Sequence, residues 1–404
     1  MNTQLKGMFA EIRSDFPLLQ RRVDGRPLVY LDSAATSLKP DAVIRAERAY
    51  SEEYTANIHR GIHLLSEEAS AAYEAARHRT ARFLKADPAS VVFVKNATEG
   101  LNLVARGIGL TRSDRVLTSL AEHHSNLLPW MREATMRFVE RDPLLPLDPA
   151  TVLRAVETHR PRVLALSHAS NVTGIIEPIA EICQALRGHE VLVVVDASQS
   201  APHLPLDVVG LGCDYLAFSG HKMLGPPGTG VLWGRKDLLE GLAPLMLGGG
   251  AVTVVSSSHY ELKPIPYRFE AGTPNIAGVI GLAAAMDFLD RVGFENVAAY
   301  EEMIAAKMET ELSNVPGTRL IMSTQRRRLA LAEVVLTSSR LGPDEVALML
   351  SDTFKIMVRS GFHCAHPLFE RLGLPRGAIR ASAYLYNTED EISELANALR
   401  SILR

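Results

Sequence analysis

Asp214 to Gly234 reads D-Y-L-A-F-S-G-H-K-M-L-G-P-P-G-T-G-V-L-W-G. Tyr215 to Phe218 is an apolar run of strand length, and Ser219-Gly220-His221-Lys222 ends it. A Gly/Pro turn then returns the chain into a second run, Val231 to Trp233. The pattern sets Lys222 at the mouth of a buried strand. An amine there costs desolvation unless it is neutral or bonded, which makes Lys222 a candidate nucleophile toward a carbonyl cofactor. The competing reading is a lysine that reaches out of the strand end into water. Gly225-Pro226-Pro227-Gly228-Thr229-Gly230 resembles the start of a phosphate-binding P-loop, but Val231 and Leu232 stand where that motif needs Lys and Ser/Thr. The glycines therefore read as a tight turn between strands.

The same rhythm runs upstream. Val91–Val94, Val116–Leu120, Val163–Leu166 and Val191–Val195 are short runs, most of them apolar throughout, separated by helical patterns. Strands without polar alternation are buried on both faces, so an α/β fold with a mainly parallel central sheet wrapped by helices is expected. Polar, reactive residues follow each run: Lys95 to Gly100, Glu122 to Asn126, Ser167 to Asn171, Asp196 to Gln199, and Ser219 to Lys222. In open α/β sheets ligands bind at that carboxyl edge.

The chain has 404 residues and a net charge of −3 with no basic block, which argues against nucleic acid as a partner. The N-terminus has no apolar core of signal-peptide length, and no stretch approaches a membrane span, so a cytoplasmic protein is expected. Cys183, Cys213 and Cys364 are too scattered for a disulfide framework. Helical spacing begins near Lys6–Arg13, and a long amphipathic helix is expected from Ser66 as N-cap. Past Gly234 the character changes. An irregular stretch leads through Phe269-Glu270-Ala271-Gly272-Thr273-Pro274-Asn275 into a helix ending about Asp290, then a second around 297–312. The tail has its own α/β pattern: strand 329–337, helix 343–353, strands 355–359 and 378–384, and a final helix opened by a capping box, Thr388 to Glu391. The expected division is a large domain over 27–291 and a smaller one from 1–26 with 292–404.

Asp196 ends a very apolar run, where a carboxylate needs a cation; a protonated pyridine nitrogen is one, and capping of the next helix is the alternative role. Gln199 could donate to a phenolic oxygen. Thr98, at a strand-turn-helix passage, with Ser219 and His221, could hold a phosphate. His123-His124 suggests zinc, but no further ligand falls at familiar spacing, so no metal is expected and an imidazole beside a cofactor ring is preferred. Cys364 lies in a loop with Arg359, His363 and His366, a setting that activates thiols. Arg380, inside an apolar strand, suits bidentate capture of a carboxylate, with a structural salt bridge as the alternative.

Taken in order, Asp196-Ala197-Ser198-Gln199, Ser219-Gly220-His221-Lys222, Phe269 to Asn275 and Arg359-Ser360-Gly361-Phe362-His363-Cys364-Ala365 resemble the motifs of the cysteine desulfurases in the class V aminotransferase group. The resemblance is strongest to the type II branch of SUF-type desulfurases and selenocysteine lyases, and it extends to Tyr30 to Ala35, His59 to His63 and Glu122 to Asn126. It implies a fold-type I enzyme with pyridoxal 5'-phosphate on Lys222, Asp196 on the pyridine nitrogen, Gln199 on the ring hydroxyl and His123 over the ring. It implies Thr98, Ser219 and His221 on the phosphate, joined by Thr273 from the other subunit of a homodimer. Asn171 and Arg380, with Arg359 beside them, would take the carboxylate of L-cysteine or L-selenocysteine. Cys364 would take the sulfur and pass it to a small carrier protein, for iron-sulfur cluster assembly. Phe362 departs from the branch, where a histidine is usual; Ala97 and the D-A-S-Q run are milder departures.

Overall fold

The apolar runs around Lys222 form one seven-stranded sheet in the computed structural model, which describes residues 2–338 and 340–404. Met1, which begins the N-terminal segment expected in the small domain, lies outside them. The strands are β1 Val91–Val94, β2 Arg115–Thr118, β3 Thr135–Phe138, β4 Val163–Ser167, β5 Leu192–Asp196, β6 Tyr215–Ser219 and β7 Gly230–Gly234. Their order is β1-β7-β6-β5-β4-β2-β3. Pairings from β3 across to β6 are parallel, and β7 alone is antiparallel to both its neighbours. The expected α/β fold is the observed one. β3 escaped the sequence pattern because T-M-R-F, on the sheet edge, is only partly buried and carries no apolar run.

The uninterrupted apolar strands have a direct cause. Phe93, Leu164, Val195, Leu216 and Val231 join one core cluster with the helices Asn2–Arg13, Leu64–Leu84 and Ile276–Val292, while Val92, Ala165, Val194, Ala217 and Leu232 join another on the opposite face with the helix Ala97–Gly107. Alternate residues point to opposite faces, so both sets must be apolar. Among the helices are α1 Asn2–Arg13, α2 Leu64–Leu84, α3 Ala97–Gly107, α4 Ile276–Val292, α5 Phe294–Leu312 and α6 Glu389–Ile402. The N-cap of α2 is His63, not Ser66: its Nδ1 accepts from the Ser66 amide at 3.3 Å, so the helix begins three residues earlier than expected. Behind α2, the buried Arg77 guanidinium meets Glu270 through two bonds of 2.8 Å, tying this helix to the loop before α4.

A second, antiparallel sheet follows: β8 Thr318–Ile321, β9 Leu331–Leu336, β10 Arg359–Gly361 and β11 Ala378–Ser382, in the order β8-β9-β11-β10. The strand expected over 355–359 divides in two. Ile356–Met357 pairs in parallel with Val29–Tyr30, and β10 starts afresh at Arg359. The expected helix over 343–353 is Pro343–Met349 followed by a π-helical turn, Leu350–Phe354. Thr388 and Glu391 form the expected capping box of α6.

Candidate active site

A cavity of about 460 Å³ opens at the carboxyl edge of the large sheet. Lys222, His123, Thr98, Asp196, Gln199, Ser219, His221, Asn171, Arg359, Cys364 and Arg380 all line it. The first eight come from the carboxyl ends of β5 and β6 or from the segments that follow β1, β2, β4, β5 and β6, and the last three from β10, β11 and the loop between them. Thr273 is not brought here. It is exposed, and it borders a separate cleft with Arg60, Lys263 and Tyr267.

Lys222 follows β6 in a tight turn, Gly220–Lys222. Its side chain is half-buried only because it borders the cavity; protein packs densely around the amine. That burial pulls the amine down to about 8, with Asp196 opposing. Lys222 makes no side-chain hydrogen bond among the described residues, and its amine borders the cavity. Asp196 Oδ1 accepts from Ser198 N at 2.9 Å within a turn and caps no helix, since the next one begins at Val208 with Asp207 as its cap, while Oδ2 has no protein partner among the described residues. Gln199 donates to the Ala34 carbonyl at 2.8 Å, which ties the strand-end loop to residues 33–35. Burial, then Lys222, holds His123 down at about 4, so its imidazole is neutral near pH 7. His221 is lowered to about 4 for the same two reasons.

The start of α3 faces the same space. Asn96 caps the helix by accepting from Glu99 N at 3.0 Å, and Ser219 Oγ accepts from Ala97 N at 2.9 Å. Thr98 Oγ1 lies 2.7 Å from Ser125 Oγ. An anion at this helix start would meet hydroxyls and a free amide at the positive end of the dipole. Gly230 makes the approach possible: a Cβ there would stand 2.7 Å from Asn96 Cα, so only glycine lets β7 pass beneath the helix start.

On the small-sheet side, Arg380 is 2% exposed and donates to the Asn171 carbonyl at 3.0 Å and to Asp32 Oδ1 at 3.4 Å. Arg359 grips the same Asp32 carboxylate at 3.2 and 2.9 Å. Asp32 thus sets both arginines, and the sequence reading gave it no role. Cys364 is exposed, while Cys183 and Cys213 are buried and burial raises both thiols, Cys183 to about 12. Lys222 and Arg359 line the same cavity as the Cys364 thiol. His363 does not point toward the thiol as expected: its ring is fully buried, with Nε2 3.0 Å from Glu333 Oε2. Phe362 turns away from the cavity, stacking on His366 at 4.5 Å and meeting Phe369 edge-on. Its ring packs the outside of the loop and takes no proton-carrying place inside. No cluster of three His, Cys, Asp or Glu side chains suited to a metal occurs among the described residues, and no helix among them is long and apolar enough to cross a membrane.

Residues 29–395 match the aminotransferase class-V family model. The chain belongs to the class V aminotransferases, in the group of cysteine desulfurases. A probable cysteine desulfurase of Streptomyces coelicolor is 41% identical, with 99% of each chain covered. A cysteine desulfurase of Cronobacter sakazakii is 40% identical over 98% of each. Among solved structures, the apo cysteine desulfurase of Thermococcus onnurineus superimposes with a TM-score of 0.89 at 36% identity, covering 97% of each chain. The cysteine desulfurase CsdA of Escherichia coli gives 0.87 at 35%, covering 98% of each.

The cofactor of this class V aminotransferase is pyridoxal 5'-phosphate, and the residues present fit it. An unpartnered amine on Lys222, an open carboxylate oxygen on Asp196 and a helix start rich in donors at Thr98 are the three features such a group needs. Ser125 was missed by the sequence reading; its hydroxyl has no distinguishing pattern, and only the fold brings it to Thr98.

Proposed function

We propose that this chain converts L-cysteine to L-alanine, with Cys364 as the sulfur acceptor. The observation that carries the reading is that a buried, unbonded lysine amine, Lys222, and an exposed thiol, Cys364, border one cavity together with the Arg380 guanidinium.

Pyridoxal phosphate supplies an electron sink for the carbanion formed at the substrate Cα. Asp196, Gln199 and His123 would orient its ring, and Thr98, Ser219 and His221 its phosphate. Arg380, held by Asn171 and Asp32, would fix the substrate carboxylate, with Arg359 beside it. The Lys222 amine would then remove the Cα proton, a task suited to an amine already lowered to about 8. The Cys364 thiolate would attack the substrate sulfur. An S–S bond forms, the Cβ–S bond breaks, and its electron pair stays on carbon to be protonated. The products are alanine and a persulfide on Cys364, with no external oxidant or reductant. Because Cys364 is exposed, its persulfide is open to a small carrier protein, and iron-sulfur assembly is the destination we propose. Thr273, exposed and outside the cavity, suits a phosphate contact made in the second subunit of a homodimer.

The test is alanine and protein-bound sulfur from cysteine in three proteins. Wild type should yield both. Lys222→Ala should lose turnover and the visible absorbance of the loaded enzyme. Cys364→Ala should keep the absorbance but lose cysteine turnover; retained turnover there would overturn the thiol assignment. Selenocysteine turnover surviving in Cys364→Ala while cysteine turnover is lost would make selenium the substrate that does not need the thiol.

A further inference from the structure

Behind Cys364, Arg380 and Arg359 share a charge cluster with a carboxylate, Glu333, that the mechanism above does not use. Glu333 on β9 is in register with Arg380 on β11, and Arg380 with Arg359 on β10. Directly opposed residues project to one face of a sheet, so the three side chains form a row across the wall that carries the substrate site. Glu333 is 1% exposed and has no hydrogen bond at either oxygen among the described residues. Its close neighbour is His363, with Nε2 3.0 Å from Oε2. That imidazole has no other partner among the described residues. A carboxylate so placed is unfavourable unless cations offset it. Burial raises Glu333 while His363 and Arg380 oppose it, and burial lowers Arg380 while Glu333, ahead of Asp32, opposes that.

The backbone around His363 is held just as closely. The His363 carbonyl accepts from Asn171 Nδ2 at 2.8 Å, and the Cys364 carbonyl accepts from His124 N at 2.8 Å. His363 and Cys364 both have left-handed φ, 47° and 57°. Left-handed backbone is unfavourable at each such non-glycine residue, so the loop needs an anchor. Of the two, His363 is the residue whose side chain is buried.

We propose that Glu333 is a positioning residue for the desulfurase reaction: it anchors the His363 imidazole that fixes the Cys364 loop, and it tempers the charge of Arg380. The proposal rests on the carboxylate and thiol roles given above. Without the Glu333 charge, Arg380 attracts the substrate carboxylate more strongly, while Cys364 is held less firmly and sulfur removal slows. Affinity and rate should therefore move in opposite senses, which simple loss of packing does not produce.

The experiment uses the loaded enzyme and its Glu333→Gln, Glu333→Asp and His363→Asn variants. It measures KM and kcat for cysteine, L-alanine affinity by absorbance titration, and the rate of Cys364 alkylation by iodoacetamide. Glu333→Gln should lower KM and the L-alanine Kd by about three- to tenfold and lower kcat by a similar factor, the scale of coupling within one buried network. Its alkylation should be faster. Glu333→Asp, which keeps the charge, should restore KM, and His363→Asn should lower kcat with KM unchanged. Unchanged or weakened L-alanine binding in Glu333→Gln, with wild-type alkylation, overturns the proposal; should that variant not fold, Glu333→Asp and His363→Asn decide by the same split. A wild type that makes no alanine from cysteine defeats the desulfurase reading instead, and the L-alanine and alkylation measurements still decide the role of Glu333.

Discussion

Glu122 offers a direct test of how the site is built. It follows β2, is 3% exposed, and gathers four donors: Ser119 Oγ at 2.8 Å on Oε1, and Asn126 Nδ2, Ser167 N and Ser167 Oγ at 2.8, 2.7 and 2.6 Å on Oε2. The bonds favour the anion, but burial outweighs them and lifts the carboxyl from 4.5 to about 7. A folded-state value above the unfolded one means the native state keeps a proton that the unfolded chain has lost. The associated stability is full below about pH 4.5 and is lost as pH rises through about 7, amounting to about 3 kcal/mol. Glu122→Gln imitates the protonated acid: its amide oxygen can accept from Asn126 and Ser167, and its NH₂ can donate to the Ser119 hydroxyl. The variant should match wild type near pH 5 and exceed it by up to about 3 kcal/mol at pH 8. Urea unfolding of both proteins from pH 4.5 to 8.5 measures the difference, and other titrating groups cancel in it. Parallel curves would refute the reasoning, since they would mean that the four hydrogen bonds keep Glu122 ionised throughout.

Two further outcomes follow from neighbouring groups. Asp32→Asn removes the carboxylate that holds both Arg359 and Arg380; the KM for cysteine should rise by about tenfold with the visible absorbance unchanged, the scale of losing one charge-assisted contact. His168 is buried with Nδ1 unpartnered among the described residues, and burial, helped by Arg327, lowers it from 6.5 to about 4. Its stability contribution is full above about pH 6.5 and is lost as pH falls toward 4, so His168→Gln should flatten the acid limb of unfolding by up to about 3 kcal/mol.

What the sequence made legible is what is encoded within a few residues. β5 and β6 could be read because each residue's burial shows in its own apolarity, and Asp196, Ser219 and Lys222 because each ends its own strand. Most of the expected cavity-lining residues were found for that reason, with the resemblance adding the roles that spacing leaves open. The half-exposed edge strand β3 had no such signal. Neither did the pairing of Val29–Tyr30 with Ile356–Met357, or the bond from Asp32 to Arg359, because nothing local to either partner encodes the other. His363 shows the difference most sharply. Its place beside Cys364 suggested an electropositive neighbour for the thiol, yet left-handed φ at both residues sends the ring into the small sheet, where Glu333 stands on another strand. The chemistry of the loop therefore depends on a residue that adjacency could not name. The variants most informative about Cys364 lie behind its loop, on β9, rather than within it.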